Sequence, residues 1–200
     1  MALRLTLVCH AGTDAQRAGR FPADEPIEAA GVAAAAMASS RLGRVDRALT
    51  SPALRARQTA EAMGLPADIE PALRDVDYGR WRGQSLMALQ AADPEATARA
   101  LSDPDAAPHG GETLRAVLAR VAAWLEAERC RAGRIVAVTH PAVIRAAIIQ
   151  AIGATPAAFP HLDVAPLAFV ALTFNGRWRL HMTGPEPAPG KAAGRAPESR

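Results

Sequence analysis

Two hundred residues are enough for one ordinary domain or two small ones, and an apolar fraction of 50% is enough for a real core. Only 4% of the residues are aromatic and many of the apolar ones are alanine, so helices packed closely on a sheet are expected. The formal charge of +3 is scattered, with no Lys/Arg block and no aromatics interleaved with basic residues, which argues against a nucleic-acid surface.

The N-terminus, MALRLTLV, is too short and too quickly interrupted for a secretory signal. Residues 3–9 read as a strand that empties into Cys9-His10-Ala11-Gly12-Thr13. A loop-rich stretch follows, and propensity predicts a helix over 27–40, weakened by Gly31. Residues 45–50 predict a short strand. In SPALRARQTAEAMG, Ser51 suits an N-cap, Pro52 the first helical turn and Gly64 the end of the helix. A short strand is expected at 69–73, an irregular stretch in DVDYGRWRG, and helices over 85–100 and 112–131, the second clearly amphipathic.

RIVAVT, residues 134–139, is β-branched and apolar, as a central strand of a parallel sheet buried on both faces would be. It runs into His140-Pro141 and a helix over 142–152. Two strands at 167–174 and 178–182 flank Asn175-Gly176, a favoured hairpin turn. Residues 184–200 are rich in Pro, Ala and Gly and are expected to be a disordered tail after a single domain over 1–183. Strands alternating with helices predict an α/β fold: a three-layer sandwich with a mostly parallel central sheet. Cys9 and Cys130 form neither a C-x-x-C pair nor a disulfide framework. No apolar run approaches membrane-spanning length, so a soluble cytoplasmic protein without a membrane partner is expected.

Three strand ends carry chemistry: His10 after the first strand, Ser51 and Arg55 after the second, His140 after the 134–139 strand. In open α/β sheets ligands bind off the carboxyl ends of the strands. A single histidine at a strand end is ordinarily a loop residue; two at equivalent ends with an arginine at a third point to a site. LTLVCHAGT, SPALRARQTAEAMG, LRDVDYGRWRG, GGETLRAVLARV and VAVTHPAVIRA resemble, in order and spacing, the signature blocks of the histidine phosphatase superfamily, the phosphoglycerate-mutase-like proteins. The resemblance covers residues 3–182.

That resemblance implies roles. His10 would be the nucleophile that becomes phosphohistidine. Arg55 would clamp the phosphoryl oxygens, and His140 would stabilise the transferring group. Asp75 falls where the family places its general acid, and Thr13 where a hydroxyl often contacts phosphate. The chemistry suits these types: neutral imidazole attacks phosphorus well, phosphoryl transfer depends on positioning and cationic clamps, and a carboxylic acid protonates the leaving alkoxide. No cofactor or metal is implied, and the five histidines show no zinc spacing.

The chain also departs from the pattern. Cys9 stands where the family's first block has arginine, Ala11 where it has glycine, and Pro141 where glycine usually follows the last histidine. The first change removes a cation that would fork onto phosphate; the last removes a backbone N–H. One lost clamp of this kind costs about 2–4 kcal/mol of barrier. Three readings follow. The protein is a phosphatase in which another arginine, such as Arg17 or Arg20 on the covering loop, fills the gap. It is a weakened or inactive member that binds a phosphorylated ligand or a partner. Or Cys9 is the nucleophile, against which stands its C-x7-R spacing to Arg17, where cysteine phosphatases use C-x5-R. The first reading is preferred because His10, Arg55, Asp75 and His140 are all retained in type. The discriminating observation is whether an arginine besides Arg55 reaches His10.

Other residues read as structural. Trp81, with Gly79 and Gly83, suits packing of the acid-bearing loop; Glu112 suits an early helical turn; Arg145 suits the surface or packing; His109 and His161 suit loops. Mutases of the family carry a longer insertion between the acid block and GGE; here residues 84–110, 27 in all, separate Gly83 from Gly111. The shorter phosphatase branch is therefore expected, with a phosphorylated small molecule or a phosphoprotein as substrate and a phosphoglycerate mutase as the lesser alternative.

Overall fold

The computed structural model describes residues 3–182. The tail expected at 184–200 lies outside them. Six strands form one sheet: β1 (Leu3–Cys9), β2 (Arg47–Thr50), β3 (Asp68–Ile69), β4 (Gly133–Thr139), β5 (Phe169–Phe174) and β6 (Trp178–His181), in the order β3-β2-β4-β1-β5-β6. The first four positions are parallel; β5 runs antiparallel to β1, and β6 to β5. The sheet is therefore mostly parallel with an antiparallel edge, as expected of α/β layers. The β4 run Ile135–Thr139 is buried at every residue, as a strand covered on both faces must be.

Helices α2 (Ala29–Ala38) and α3 (Leu54–Ala62) pack together on one face, over Val8, Val136 and Val138. On the other face α6 (Leu114–Glu128) and α7 (Pro141–Ile152) pack together over Leu5, Leu7, Ile135 and Ala137. The remaining helices are short: α1 (Asp14–Arg17), α4 (Leu86–Ala92) and α5 (Pro94–Ser102), the last two packed on each other. No helix among the described residues is long and apolar enough to cross a membrane.

Several boundaries differ from the sequence expectation, each for a local reason. The helix expected over 85–100 is two, because Asp93 caps Ala96 N–H and Pro94 restarts the chain at N1. The strand expected at 69–73 gives way to a 3-10 turn at Pro71–Leu73. α2 begins at Ala29, and residues 39–41 tighten into 3-10 geometry. Ser51 is not the cap of α3, which begins at Leu54. The cap comes from across the chain: Asp24, with φ of 68°, accepts the Leu54 N–H at 2.7 Å. α7 starts on Pro141 and ends on left-handed Gly153, as the asymmetry of helix ends favours.

Candidate active site

Sheet register brings the functional residues together. Cys9 lies opposite Thr139, and Thr50 opposite Val138. One residue further on, the ladder continues: His10 N–H donates to Thr139 O and Ser51 N–H to Val138 O, both at 2.9 Å. His10, Ser51 and His140 therefore leave the sheet side by side. The two imidazoles meet edge to face with centroids 5.2 Å apart.

His10 Nδ1 lies 2.8 Å from Ala11 O. A carbonyl only accepts, so Nδ1 carries the proton and the Nε2 lone pair is left for chemistry. Burial lowers the pKa of His10, despite the Ala11 carbonyl and the Asp75 charge acting upward, and keeps the imidazole neutral. The turn is held by Thr59, whose hydroxyl accepts from Ala11 N–H at 3.0 Å and donates to Arg55 O at 2.7 Å. Ala11 has room because α2 presents Gly31, where a Cβ would stand 3.2 Å from the Ala11 methyl. The glycine that weakens α2 on propensity thus accommodates the departure at position 11.

Arg55 is buried, and its Nη2 bonds Asp75 Oδ2 at 2.5 Å. Its Nη1 lies 4.0 Å from Glu25 Oε1. Burial alone would raise the pKa of Asp75; the His140 ring first, then Arg55 and the Val76 N–H, outweigh burial and lower it. His140 Nδ1 sits 3.3 Å from the same Oδ2, and its Nε2 lies 2.7 Å from Ser51 Oγ. Ser51 Oγ also accepts from Ala53 N–H. A carboxylate only accepts, so Asp75 beside Nδ1 favours the His140 ring proton there, with the Ser51 hydroxyl donating to Nε2. Burial pushes the His140 pKa down to about 3, the Asp75 charge only partly opposing it.

His10, Arg55, Asp75 and Glu25 line a cavity of about 160 Å³, while His140 and Ser51 are fully buried and not part of the lining. Thr13 is in its wall, and its hydroxyl accepts from Gln16 N–H and donates to Glu25 at 3.2 Å. The two loop arginines separate. Arg20 lines the cavity while bonding Asp14 at 2.7 Å. Arg17 bonds Asp14, lies 3.0 Å from Glu28, and is not part of the lining. Arg145, expected at the surface or in packing, does line the cavity. Cys9 is fully buried and burial pushes its thiol up to about 12, which leaves a nucleophilic role without its thiolate. Glu25 also lines the cavity: FPADEP offers only an acidic pair in a loop, and the Asp24 cap, the Thr13 hydroxyl and the Ile27–Gln58 bond bring Glu25 to the wall.

The acid-bearing loop is braced from below. Thr139 Oγ1 donates to Leu73 O at 2.8 Å, and Arg120 donates to Ala72 O and Arg74 O. Glu112 holds Arg120 and Arg74 in turn. Gly111 is required because a Cβ there would lie 2.0 Å from Asp77 O. Among the described residues no group of three or more His, Cys, Asp or Glu side chains could hold a metal ion.

The family description "Histidine phosphatase superfamily (branch 1)" matches residues 5–183. The bifunctional protein Rv2228c of Mycobacterium tuberculosis is 32% identical over 127 residues, 59% of this chain and 35% of that protein. The chain thus spans about a third of the length of that relative. Phosphoserine phosphatase 1 of Hydrogenobacter thermophilus is 29% identical over 162 residues, 76% of this chain and 77% of that protein. Among solved structures, the alpha-ribazole phosphatase of Shigella flexneri superposes with a TM-score of 0.79 at 26% identity, covering 89% of this chain and 94% of that one.

Proposed function

The chain belongs to the histidine phosphatase superfamily, and from that premise we propose that it hydrolyses phosphomonoesters through a phosphohistidine at His10, without a metal. The carrying observation is the state of His10: a neutral ring, proton fixed on Nδ1, Nε2 uncommitted, in a cavity it shares with Arg55 and Asp75, with the His140 ring against it at 5.2 Å. The relatives described as phosphatases support the same reaction class.

In the first step Nε2 attacks phosphorus, and the P–O bond to the alcohol breaks. Arg55 and the Nδ1–H of His140 bind phosphoryl oxygens, supplying the positive field that phosphoryl transfer needs. The leaving oxygen takes a proton from Asp75. Asp75 is ionised in the free protein, bonded to Arg55 at 2.5 Å. A phosphoryl group that takes Arg55 away and adds negative charge beside the carboxyl raises its affinity for a proton. Substrate binding therefore arms the acid, the carboxylate taking its proton from solvent or from a monoanionic phosphate ester. In the second step Asp75, now a carboxylate, takes a proton from water. The water oxygen attacks phosphorus, the P–N bond breaks, and phosphate and neutral His10 are restored.

Loss of the first-block arginine favours a second reading, a phosphate-binding protein without turnover. Against it, the cavity retains Arg20 besides Arg55. The test is hydrolysis of an aryl phosphate by wild type and His10→Ala, with acid-labile, base-stable phosphoenzyme trapped in parallel. Turnover and label, both lost in His10→Ala, are expected. Turnover that survives in His10→Ala would refute the mechanism.

A further inference from the structure

A second cavity of about 680 Å³ opens beside the first, and Tyr78, Arg145 and Phe159 line both. Its size falls in the range of small-molecule sites, and the 160 Å³ cavity at His10 does not. One side is an aromatic cluster: the Phe21 ring centroid lies 4.7 Å from Tyr78 and 5.4 Å from Trp81, and Trp81 lies 5.2 Å from His109. Leu101, Leu114 and Val76 continue the apolar wall.

Arg145 stands at the junction. It is the only charged residue of α7, PAVIRAAIIQAI, in a helix whose neighbouring positions are buried and apolar. Four arginines line the two cavities. Arg20 is paired with Asp14, Arg55 with Asp75 and Arg115 with Asp105. Arg145 has no carboxylate partner among the described residues, and its Nε is buried without a hydrogen-bond partner. The guanidinium carbon lies 5.4 Å from the Phe159 ring centroid, which steadies the cation without using its donors. A buried donor without a partner is costly, and a free guanidinium fork matches a carboxylate or phosphate. Cys9 points toward the same side, into the core it shares with Val143, Ile144 and Ala146 of α7.

We propose that the larger cavity receives the alcohol portion of the substrate, that this portion is a bulky ring-bearing body, and that it carries an anionic group bound by Arg145. The inference rests on the hydrolase reading for its reaction, but it is tested by binding. Calorimetric titration compares benzylphosphonate, naphthylmethylphosphonate and benzylphosphonates with a carboxylate at the ortho, meta or para position, on wild type and Arg145→Gln; inorganic phosphate reports the phosphoryl site alone. On wild type the naphthyl probe should bind several-fold tighter than benzyl, and the best carboxylate about tenfold tighter. In Arg145→Gln the carboxylate advantage should fall below about threefold. Because each advantage is a ratio on one protein, general weakening cancels.

A carboxylate that helps at no position overturns the proposal. So does Arg145→Gln weakening inorganic phosphate and every phosphonate equally, which would make Arg145 a phosphoryl clamp. Turnover of the matching phosphate esters separates the two readings. Discrimination without turnover sinks the hydrolase alone, and turnover without discrimination sinks this inference alone.

Discussion

Replacing Asp75 by asparagine should tighten anion binding while abolishing most turnover. In the free protein the Asp75 carboxylate occupies Arg55 at 2.5 Å, so an incoming phosphoryl group must displace it. A hydrogen bond to a charged group is worth about 1.5–3 kcal/mol. Removing that competitor should raise affinity for tungstate or inorganic phosphate about 10- to 100-fold, before counting relief of repulsion between carboxylate and anion. The same change removes the proton donor, lowering kcat by about 10²–10⁴. It also leaves Arg55 buried with only Glu25 nearby, at 4.0 Å, so the free variant should lose about 3–5 kcal/mol. Calorimetry with tungstate, steady-state kinetics and thermal unfolding with and without anion read the three effects. The ligand should restore much of the lost melting temperature. Tungstate binding equal to or weaker than wild type would refute the idea that Asp75 guards Arg55.

Ser51→Ala should cost about 1–3 kcal/mol through the buried, unpartnered His140 Nε2, lowering the melting temperature by about 2–12 °C in a chain of this length. Turnover should fall more than this loss of stability explains at temperatures where the variant is folded, and Ser51→Thr should recover part of it; full activity in Ser51→Ala would remove Ser51 from the positioning of His140. Stability should also fall with acid. Both site histidines have folded pKa values below the ordinary 6.5, so below pH 6.5 the unfolded chain binds more protons. For His140, whose folded value is about 3, that loss steepens from about 0.7 kcal/mol per pH unit at pH 6.5 toward about 1.4 near pH 5. His140→Gln should flatten the dependence measured between pH 6.5 and 5; a wild-type melting temperature constant over that window would contradict the neutral, buried state of the ring.

The strand ends that carry the site were legible because they depend on local signals. An apolar run that stops at His10, and another that stops at His140, name the carboxyl edge of a parallel sheet without further information. What escaped depends on contacts between distant segments. Ser51 looks like a helix cap from its neighbours, yet its hydroxyl serves His140, 89 positions away. Asp24 does the capping instead, and nothing in FPADEP announces Leu54 as its partner. Arg145 was read as packing or surface, although a lone charge in an apolar helix is itself a signal that something polar awaits it. Arg17 and Arg20 look equivalent on the covering loop; one turns to Asp14 and Glu28, and the other lines the cavity.

The Asp24 cap links two parts of the site mechanically. The loop that carries Glu25 into the wall is fastened to the first turn of the helix that carries Arg55. The loop lifts only by releasing the Leu54 N–H, at a cost of about 1 kcal/mol. Lifting the loop therefore removes hydrogen bonds from the helix that carries the arginine. Entry and grip behave as one latch with two pins, Asp24 on the Leu54 N–H and Gln58 of the same helix on the Ile27 N–H.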